Sequence, residues 1–252
     1  SLQIVGQANQ EKDHKGIAHH MGSCLARRNA HKIKGIVFDL DDTLYPQESF
    51  KRSGFAAVAR WLADDYGLSF SAIMRELDNI LLQNGPSYPY MFNDLRNRLR
   101  IINPTVSQMV QAFIDHEPSI SCYPGVHSML ERLRAKFKLG LLTDGRLSVQ
   151  NNKIRVLGLA PLIDEILSSD ALGTEKPDSA LFEWFETRFG VSGNQMIYVG
   201  DNPQKDFLGA KSRGWMTVRV LWGEFVNEKC SVQYRAHTEI DSLNSIEKLA
   251  LN

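Results

Sequence analysis

The sequence predicts a doubly wound α/β fold, in which a parallel sheet carries helices on both faces and a helical cap is inserted. Three features of the 252-residue chain predict it. Short apolar runs rich in β-branched residues recur, and most are separated by segments with apolar residues three and four positions apart. The first two runs lie about 100 residues apart, whereas later ones follow at intervals of about 20 to 30. Alternating strands and helices imply parallel crossovers, and the long first interval leaves room for an insertion.

The expected strands are short and apolar. Five of them are predicted at residues 35–38, 139–142, 165–167, 196–199 and 217–220. The helices predicted between them cover residues 126–137, 179–189 and 204–213. An edge strand at 239–243 and a helix at 246–251 are expected to close the sheet. The core is therefore expected to be Rossmann-like, with ligands bound beyond the carboxyl ends of the strands.

The long interval after the first strand predicts a cap domain over residues 48–118. Helical spacing recurs there in four segments, at residues 50–66, 70–82, 91–99 and 105–116. Residues 33–47 and 119–252 are then expected to form the α/β core. Residues 1–32 are polar and lack periodicity, which predicts a flexible N-terminal tail.

The composition excludes several classes of protein. Lys plus Arg and Asp plus Glu each number 29, so the formal charge is zero and no excess positive field is available for nucleic acid or anionic membranes. No apolar run approaches the roughly 18 residues of a membrane helix, and the N-terminus lacks the order of a signal peptide. The three cysteines form no C-x-x-C pair. We expect a cytoplasmic protein that binds neither nucleic acid nor membrane; its oligomeric state is not readable from the sequence.

An acidic cluster directly follows the first strand, in Phe38-Asp39-Leu40-Asp41-Asp42-Thr43-Leu44. Asp39 and Asp41 would repel each other unless a cation or a proton separated them. This spacing therefore indicates a metal site or acid-base chemistry. Asp42, the third acid of the cluster, is expected to be a solvated turn residue.

Three further motifs follow, also near strand ends. Asp201 and Asp206 come after the fourth strand, behind Gly200. Thr143 and Asp144 follow the second strand, where a hydroxyl and backbone N–H groups can hold a phosphate oxygen. Lys176 precedes a helix, and its charge can neutralise a phosphate and a neighbouring carboxylate.

These four motifs, in this order, resemble those of the haloacid dehalogenase-like (HAD) superfamily, whose pattern is D-x-D-x-T, then Ser or Thr, then Lys, then G-D-x-x-x-x-D. The resemblance covers roughly residues 34–222. It implies that Asp39 is the nucleophile, which forms an aspartyl-phosphate, and that Asp41 is the general acid and then the base. Thr43 would support the loop that places both.

The resemblance also implies the roles of the remaining motif residues. Thr143 and the amide of Asp144 would bind a phosphoryl oxygen, and Lys176 would stabilise charge in the transition state. Mg²⁺ would be ligated by the Asp39 carboxylate, the Asp41 backbone carbonyl and the Asp201 carboxylate. Asp206 would orient a metal-bound water or pair with Lys176.

The function expected from this resemblance is Mg²⁺-dependent hydrolysis of a small phosphorylated metabolite, either a sugar phosphate or a nucleotide. Asp41 favours a phosphatase over a dehalogenase, because expulsion of a halide needs no proton. Two alternatives stay open: a phosphotransferase or phosphomutase with the same intermediate, and a catalytically silent HAD-like binding module. Tyr45 is expected to be a packed hinge aromatic or a substrate contact. The cap offers five candidates for contacts with the leaving group: Lys51, Arg52, Tyr88, Tyr90 and Arg96.

Overall fold

The computed structural model describes residues 32–251, so the predicted tail lies outside the described residues except for Lys32. One six-stranded parallel sheet has the order β3-β2-β1-β4-β5-β6. Its strands are β1 (Gly35–Phe38), β2 (Lys138–Thr143), β3 (Glu165–Ser168), β4 (Met196–Gly200), β5 (Met216–Val220) and β6 (Thr238–Ile240). Strand β1 lies near the centre of the sheet, β2 and β3 follow on one side of it, and the chain then crosses over to form β4, β5 and β6 on the other side. This order confirms the predicted doubly wound fold.

Strand β1 lies at the point where the strand order reverses. Phe38 pairs with Leu141 of β2 on one side and with Val199 of β4 on the other. All four residues of β1 are buried, as expected for a central parallel strand. The residue that follows β1 therefore emerges between the carboxyl ends of β2 and β4, in the crevice where such sheets bind ligands.

Helices cover both faces of the sheet. After the cap, they are α5 (Val126–Arg134), α6 (Leu147–Val156), α7 (Ser179–Phe189), α8 (Leu208–Ser212) and α9 (Ser245–Leu251). Residues of α5, α6 and α9 pack on one face with Phe38 and Val199, and residues of α7 and α8 pack on the other with Val37 and Tyr198. Alternate residues of the central strands thus supply the two halves of the core.

The helix predicted at residues 204–213 begins only at Leu208, so this part of the prediction is wrong. The preceding residues form a turn instead: the Asp206 N–H donates to the Asn202 carbonyl, and the Asn202 N–H donates to Oδ2 of Asp206 at 2.8 Å. The edge strand predicted at 239–243 is also displaced, because β6 ends at Ile240.

The cap consists of four helices between β1 and α5. They are α1 (Gln47–Tyr66), α2 (Phe70–Asn84), α3 (Met91–Arg98) and α4 (Val106–Asp115). They enclose a core of their own that includes Leu62, Ile73 and Met109. Phe113 packs against both this core and that of the α/β unit. The inserted helical cap is confirmed, and its limits at residues 48 and 118 stay predictions.

The helices between residues 32 and 251 were compared with the length and apolarity that a membrane crossing needs. None of them meets both requirements.

A glycine in β2 lets helix α7 approach the sheet. A Cβ added at Gly140 would lie 2.7 Å from Cε1 of Phe185 and 2.8 Å from Cγ2 of Val37, closer than packed side chains allow. Gly140→Ala is therefore expected to lower the free energy of unfolding by about 1–3 kcal/mol, measured by urea denaturation. The matched control is Lys138→Ala, at an exposed position of the same strand, with an expected change below about 0.5 kcal/mol. Equal losses at both positions would contradict this packing argument.

Candidate active site

The carboxyl ends of β1, β2 and β4 open into a cavity of about 450 Å³ between the α/β core and the cap. Its core side includes Asp39, Asp41, Asp144, Lys176 and Asp201, as the sequence predicts. Its cap side includes Lys51, Ser87 and Tyr88, and the loop after β5 contributes Glu224 and Phe225. The structure thus brings the residues of all four motifs to one edge of the sheet.

Asp39 is the first residue after β1. Its N–H donates to the Val199 carbonyl at 2.8 Å, which continues the ladder to β4 and fixes the backbone. Asp39 is 5% exposed. Oδ1 accepts a hydrogen bond from Nζ of Lys176 at 2.6 Å, and Oδ2 accepts one from the Thr43 hydroxyl at 3.3 Å. Burial raises the pKa of Asp39 to about 7, although the charge of Lys176 opposes this rise.

Lys176 uses its three donors on buried partners. Besides Asp39, its Nζ contacts Oδ1 of Asp206 at 2.7 Å and the Tyr198 hydroxyl at 3.2 Å. Burial lowers the pKa of Lys176, but the charges of Asp206 and Asp39 outweigh burial and raise it well above its usual value. The lysine is therefore a fixed positive charge between two carboxylates. Of the two roles expected for Asp206, the structure contains the ion pair with Lys176.

Asp206 approaches the end of β4 closely because residue 200 is a glycine. A Cβ on Gly200 would lie 2.6 Å from Cγ of Asp206. With no Cβ there, the Asp206 carboxylate reaches both Lys176 and the Asn202 N–H. The glycine of this motif therefore makes room for the acid six residues later.

Three carboxylates of this cluster fit a metal ion. Asp39, Asp201 and Asp206 each offer an oxygen, and these oxygens lie within 4.8 Å of one another. Oδ2 of Asp201 is buried and accepts no hydrogen bond from any described residue. Burial, followed by the charges of Asp206 and Asp39, raises the pKa of Asp201 to about 9. A buried carboxylate oxygen without a donor fits a hard divalent cation such as Mg²⁺, which prefers oxygen ligands.

Asp41 is held by two residues that the motifs do not include. Its Oδ1 accepts hydrogen bonds from Nζ of Lys153, at 2.7 Å, and from the buried Tyr45 hydroxyl. Tyr45 is thus more than a packed hinge aromatic, and Lys153 is a site residue that the sequence motifs miss. The signal that could find Lys153 is its position three residues after Gln150, on the inner face of the helix that follows the Thr143 motif.

Thr143 lies behind the cavity rather than on its surface. It is 1% exposed, and its hydroxyl donates to Oε1 of Gln150 at 3.2 Å. Asp144, which does line the cavity, accepts from the Lys176 N–H at 3.2 Å and from Nζ of Lys205 at 3.3 Å. The loop after β2 is therefore fixed by side chains of α6 and by the segment around Lys176.

The expectation of a solvated Asp42 is wrong. Asp42 is 7% exposed and has a left-handed backbone, with φ of 55°. Its two carboxylate oxygens accept the N–H groups of Gln47, at 2.9 Å, and Glu224, at 3.1 Å. The turn directs the side chain inward, and Asp42 joins the acidic loop to the start of α1 and to the loop after β5.

Two of the five candidate cap residues, Lys51 and Tyr88, line the cavity. The other three do not: Arg52 pairs with Glu48, Arg96 donates to the Ile102 carbonyl, and Tyr90 is exposed. Glu224 is a further lining residue that sequence reasoning misses.

A model of the family described as haloacid dehalogenase-like hydrolase matches residues 36–220. The chain belongs to this family. The glyceraldehyde 3-phosphate phosphatase of Methanocaldococcus jannaschii is 31% identical over 224 residues, which cover 86% of this chain and 95% of the relative. That of Methanopyrus kandleri is 32% identical over 203 residues, covering 77% and 86%. The predicted assignment to the HAD superfamily, as a phosphatase, is confirmed.

Solved structures of this family share the fold. A HAD phosphatase from Thermococcus onnurineus has a TM-score of 0.58 and 25% identity, covering 86% of this chain and 97% of that chain. A 2-haloacid dehalogenase from Pseudomonas syringae pv. Tomato DC3000 has a TM-score of 0.60 with the same identity and coverage. The HAD fold therefore extends over both the α/β core and most of the insertion.

Oδ2 of Asp201, which has no hydrogen-bond donor in the described part of the chain, predicts a measurable response to metal. Mg²⁺ is expected to stabilise the wild type against unfolding, by about 2.7 kcal/mol at a hundred times its dissociation constant. Asp201→Asn is expected to lose most of this gain while staying at least as stable as the wild type in EDTA, because the amide replaces a buried carboxyl group whose Oδ2 accepts no hydrogen bond from residues 32–251. Thermal unfolding with and without MgCl₂ measures both effects.

The matched control for that experiment is Asp64→Asn, an exposed position in α1, which should respond to Mg²⁺ as the wild type does. Equal stabilisation of Asp201→Asn and the wild type would exclude Asp201 as a ligand.

Proposed function

We propose that the chain is a Mg²⁺-dependent phosphomonoester hydrolase that acts on a small phosphorylated metabolite through an aspartyl-phosphate on Asp39. The observation that carries the proposal is the pairing of Asp39 with the fixed charge of Lys176, beside an Asp201 oxygen that accepts no hydrogen bond from residues 32–251. An oxygen nucleophile and two sites for positive charge then face one cavity. That arrangement suits attack on a phosphate dianion.

Each residue has a proposed part in the reaction. A carboxylate oxygen of Asp39 bonds to phosphorus as the ester P–O bond breaks, and Asp41 gives a proton to the departing oxygen. Water then attacks the same phosphorus, Asp41 takes its proton, and inorganic phosphate leaves with Asp39 restored. Lys176 stabilises the added negative charge throughout, and Thr43 supports Asp39.

Mg²⁺, bound by the Asp39 and Asp201 carboxylates and the Asp41 backbone carbonyl, would supply the charge that offsets the phosphate dianion. Asp206 serves as the second acceptor of Lys176. The Asp144 amide binds a phosphoryl oxygen. Thr143 would do so only after its hydroxyl leaves Oε1 of Gln150 and turns toward the cavity. The proposed cytoplasmic location is a prediction from the sequence.

The proposed substrate is the phosphate ester of a small sugar, such as a triose, that carries no other charged group. Relatives that cover most of this chain are named glyceraldehyde 3-phosphate phosphatases, which supports a substrate of this size. Within residues 32–251, the one cap cation that lines the cavity is Lys51, and Glu224 neutralises it at 3.1 Å. Lys205 is paired with Asp144 and Glu175. The part of the cavity proposed to hold the leaving group therefore has little free positive charge with which to bind a second anionic group on the substrate.

Loss of the nucleophile tests the reaction. Asp39→Asn is expected to lower Mg²⁺-dependent turnover of phosphate monoesters at least about 10⁴-fold, because an amide cannot form the intermediate. Reaction of the wild type in ¹⁸O-labelled water should place one labelled oxygen in each phosphate released, measured by mass spectrometry. Phosphate without label, or phosphoryl transfer to an added sugar in place of hydrolysis, would favour the phosphotransferase instead.

Charge at the cap tests the substrate class. Wild-type kcat/KM is expected to be at least about tenfold higher for ribulose 5-phosphate than for ribulose 1,5-bisphosphate, and Glu224→Gln should reduce this preference about tenfold by freeing Lys51. The matched control is Ser87→Ala, which removes another contact to Glu224 without changing charge and should keep the preference. A preference unchanged in Glu224→Gln would contradict the neutralisation argument.

A further inference from the structure

The two oxygens of Asp41 have different surroundings. Oδ1 is occupied by Nζ of Lys153, at 2.7 Å, and by the Tyr45 hydroxyl. No described residue donates a hydrogen bond to Oδ2, and Asp41 lines the cavity. Oδ1 is therefore held by the protein, while Oδ2 has no donor within residues 32–251 and belongs to a residue that lines the cavity.

Lys153 is a buried cation whose presence packing does not explain. It is 3% exposed, and its described ion-pair partner is Asp41. Its Nζ also lies over the rings of Phe50, at 4.4 Å from the centroid, and Tyr45, at 5.8 Å. Burying an ammonium group has a high desolvation cost, and apolar replacements of buried ion pairs are often neutral or stabilising. A lysine at this position therefore indicates a role beyond stability.

We propose that Lys153, assisted by Tyr45, is a positioning residue for proton transfer by Asp41; this inference rests on the function proposed above. Two donors on Oδ1 fix the rotation of the carboxylate and leave Oδ2 as the oxygen that exchanges a proton. Oδ2 gives its proton to the leaving oxygen and later takes one from the attacking water. Lys153 is not among the described residues that line the cavity, so its proposed effect passes through Asp41.

The helix that carries Lys153 also contacts both connections between core and cap. Phe50, whose ring lies under the ammonium group, belongs to the first turn of α1. Asn152, the neighbour of Lys153, donates from Nδ2 to the His116 carbonyl at 3.1 Å, where the chain returns from α4. Lys153 thus connects Asp41 to the helix that contacts both connections between core and cap.

The test compares substrates whose leaving groups differ in their need for a proton. Phenyl phosphate releases a basic oxygen that requires the general acid, whereas 2,4-dinitrophenyl phosphate releases an anion that is stable without one. In Lys153→Met, kcat/KM for phenyl phosphate is expected to fall at least about 30-fold, and that for dinitrophenyl phosphate less than about threefold. Because kcat/KM reports the steps up to ester cleavage, slow hydrolysis of the intermediate does not obscure the comparison.

A second variant keeps the test valid if Lys153→Met does not fold. Tyr45→Phe removes only the hydroxyl and keeps the buried ring, and it should shift the ratio in the same direction by about threefold to tenfold. The matched control is Lys136→Met, an exposed lysine paired with Glu247, for which both substrates should keep their wild-type kcat/KM. Thermal unfolding of all variants identifies loss of structure.

The outcomes separate this inference from the proposed function. A selective loss on phenyl phosphate supports positioning by Lys153. An equal loss on both substrates in folded variants, or no loss on either, overturns it while the hydrolase remains supported by the wild type. A wild type that turns over neither ester with Mg²⁺ would instead refute the proposed function itself.

Discussion

The arrangement of acidic side chains at the carboxyl ends of the strands depends on the ion pairs that Lys176 forms with two of them. β1 and β4 end side by side, and the residues after them place Asp39, Asp201 and Asp206 within one small buried volume. Three carboxylates there lose hydration and, to a smaller extent, repel one another, and both effects raise the pKa of Asp39 and Asp201. Lys176 bonds to two of them and offsets one charge. The charge that remains is the physical reason for expecting a cation.

A second lysine gives the two acids of the first motif different ion-pair partners. Asp39 pairs with Lys176 at 2.6 Å, whereas Asp41, two residues later, pairs with Lys153 at 2.7 Å. The two lysines come from separate segments of the core and are both buried. Each carboxylate therefore has its own positive partner, and their mutual repulsion is reduced without either acid leaving the cavity. This separation gives neighbouring acids different surroundings, which their different proposed chemistry requires.

The sequence predicts those features that depend on apolar pattern and on motif order. The central strands 35–38 and 196–199 are predicted within a residue, because a buried parallel strand is a continuous apolar run. Helix α6 is different: its buried face includes Gln150 and Lys153, so periodicity of apolar residues does not reveal which side faces inward. Buried polar residues become interpretable only when their partners are known.

The hydrogen bonds of Asp42 and Glu224 also could not be predicted, because their partners are far apart in the sequence. The sequence around Asp42 predicts an exposed turn residue. In the structure its carboxylate accepts the N–H of Glu224, which lies in the loop after β5, 182 positions later. Glu224 in turn accepts hydrogen bonds from Lys51 and Ser87 of the cap. The acidic loop, the loop after β5 and the cap thus form one connected set of polar contacts beside the cavity. Asp42, three residues after the proposed nucleophile, therefore fixes the loop that meets the cap. The proposed binding region for the leaving group is thus joined by hydrogen bonds to the loop that carries the proposed catalytic carboxylates.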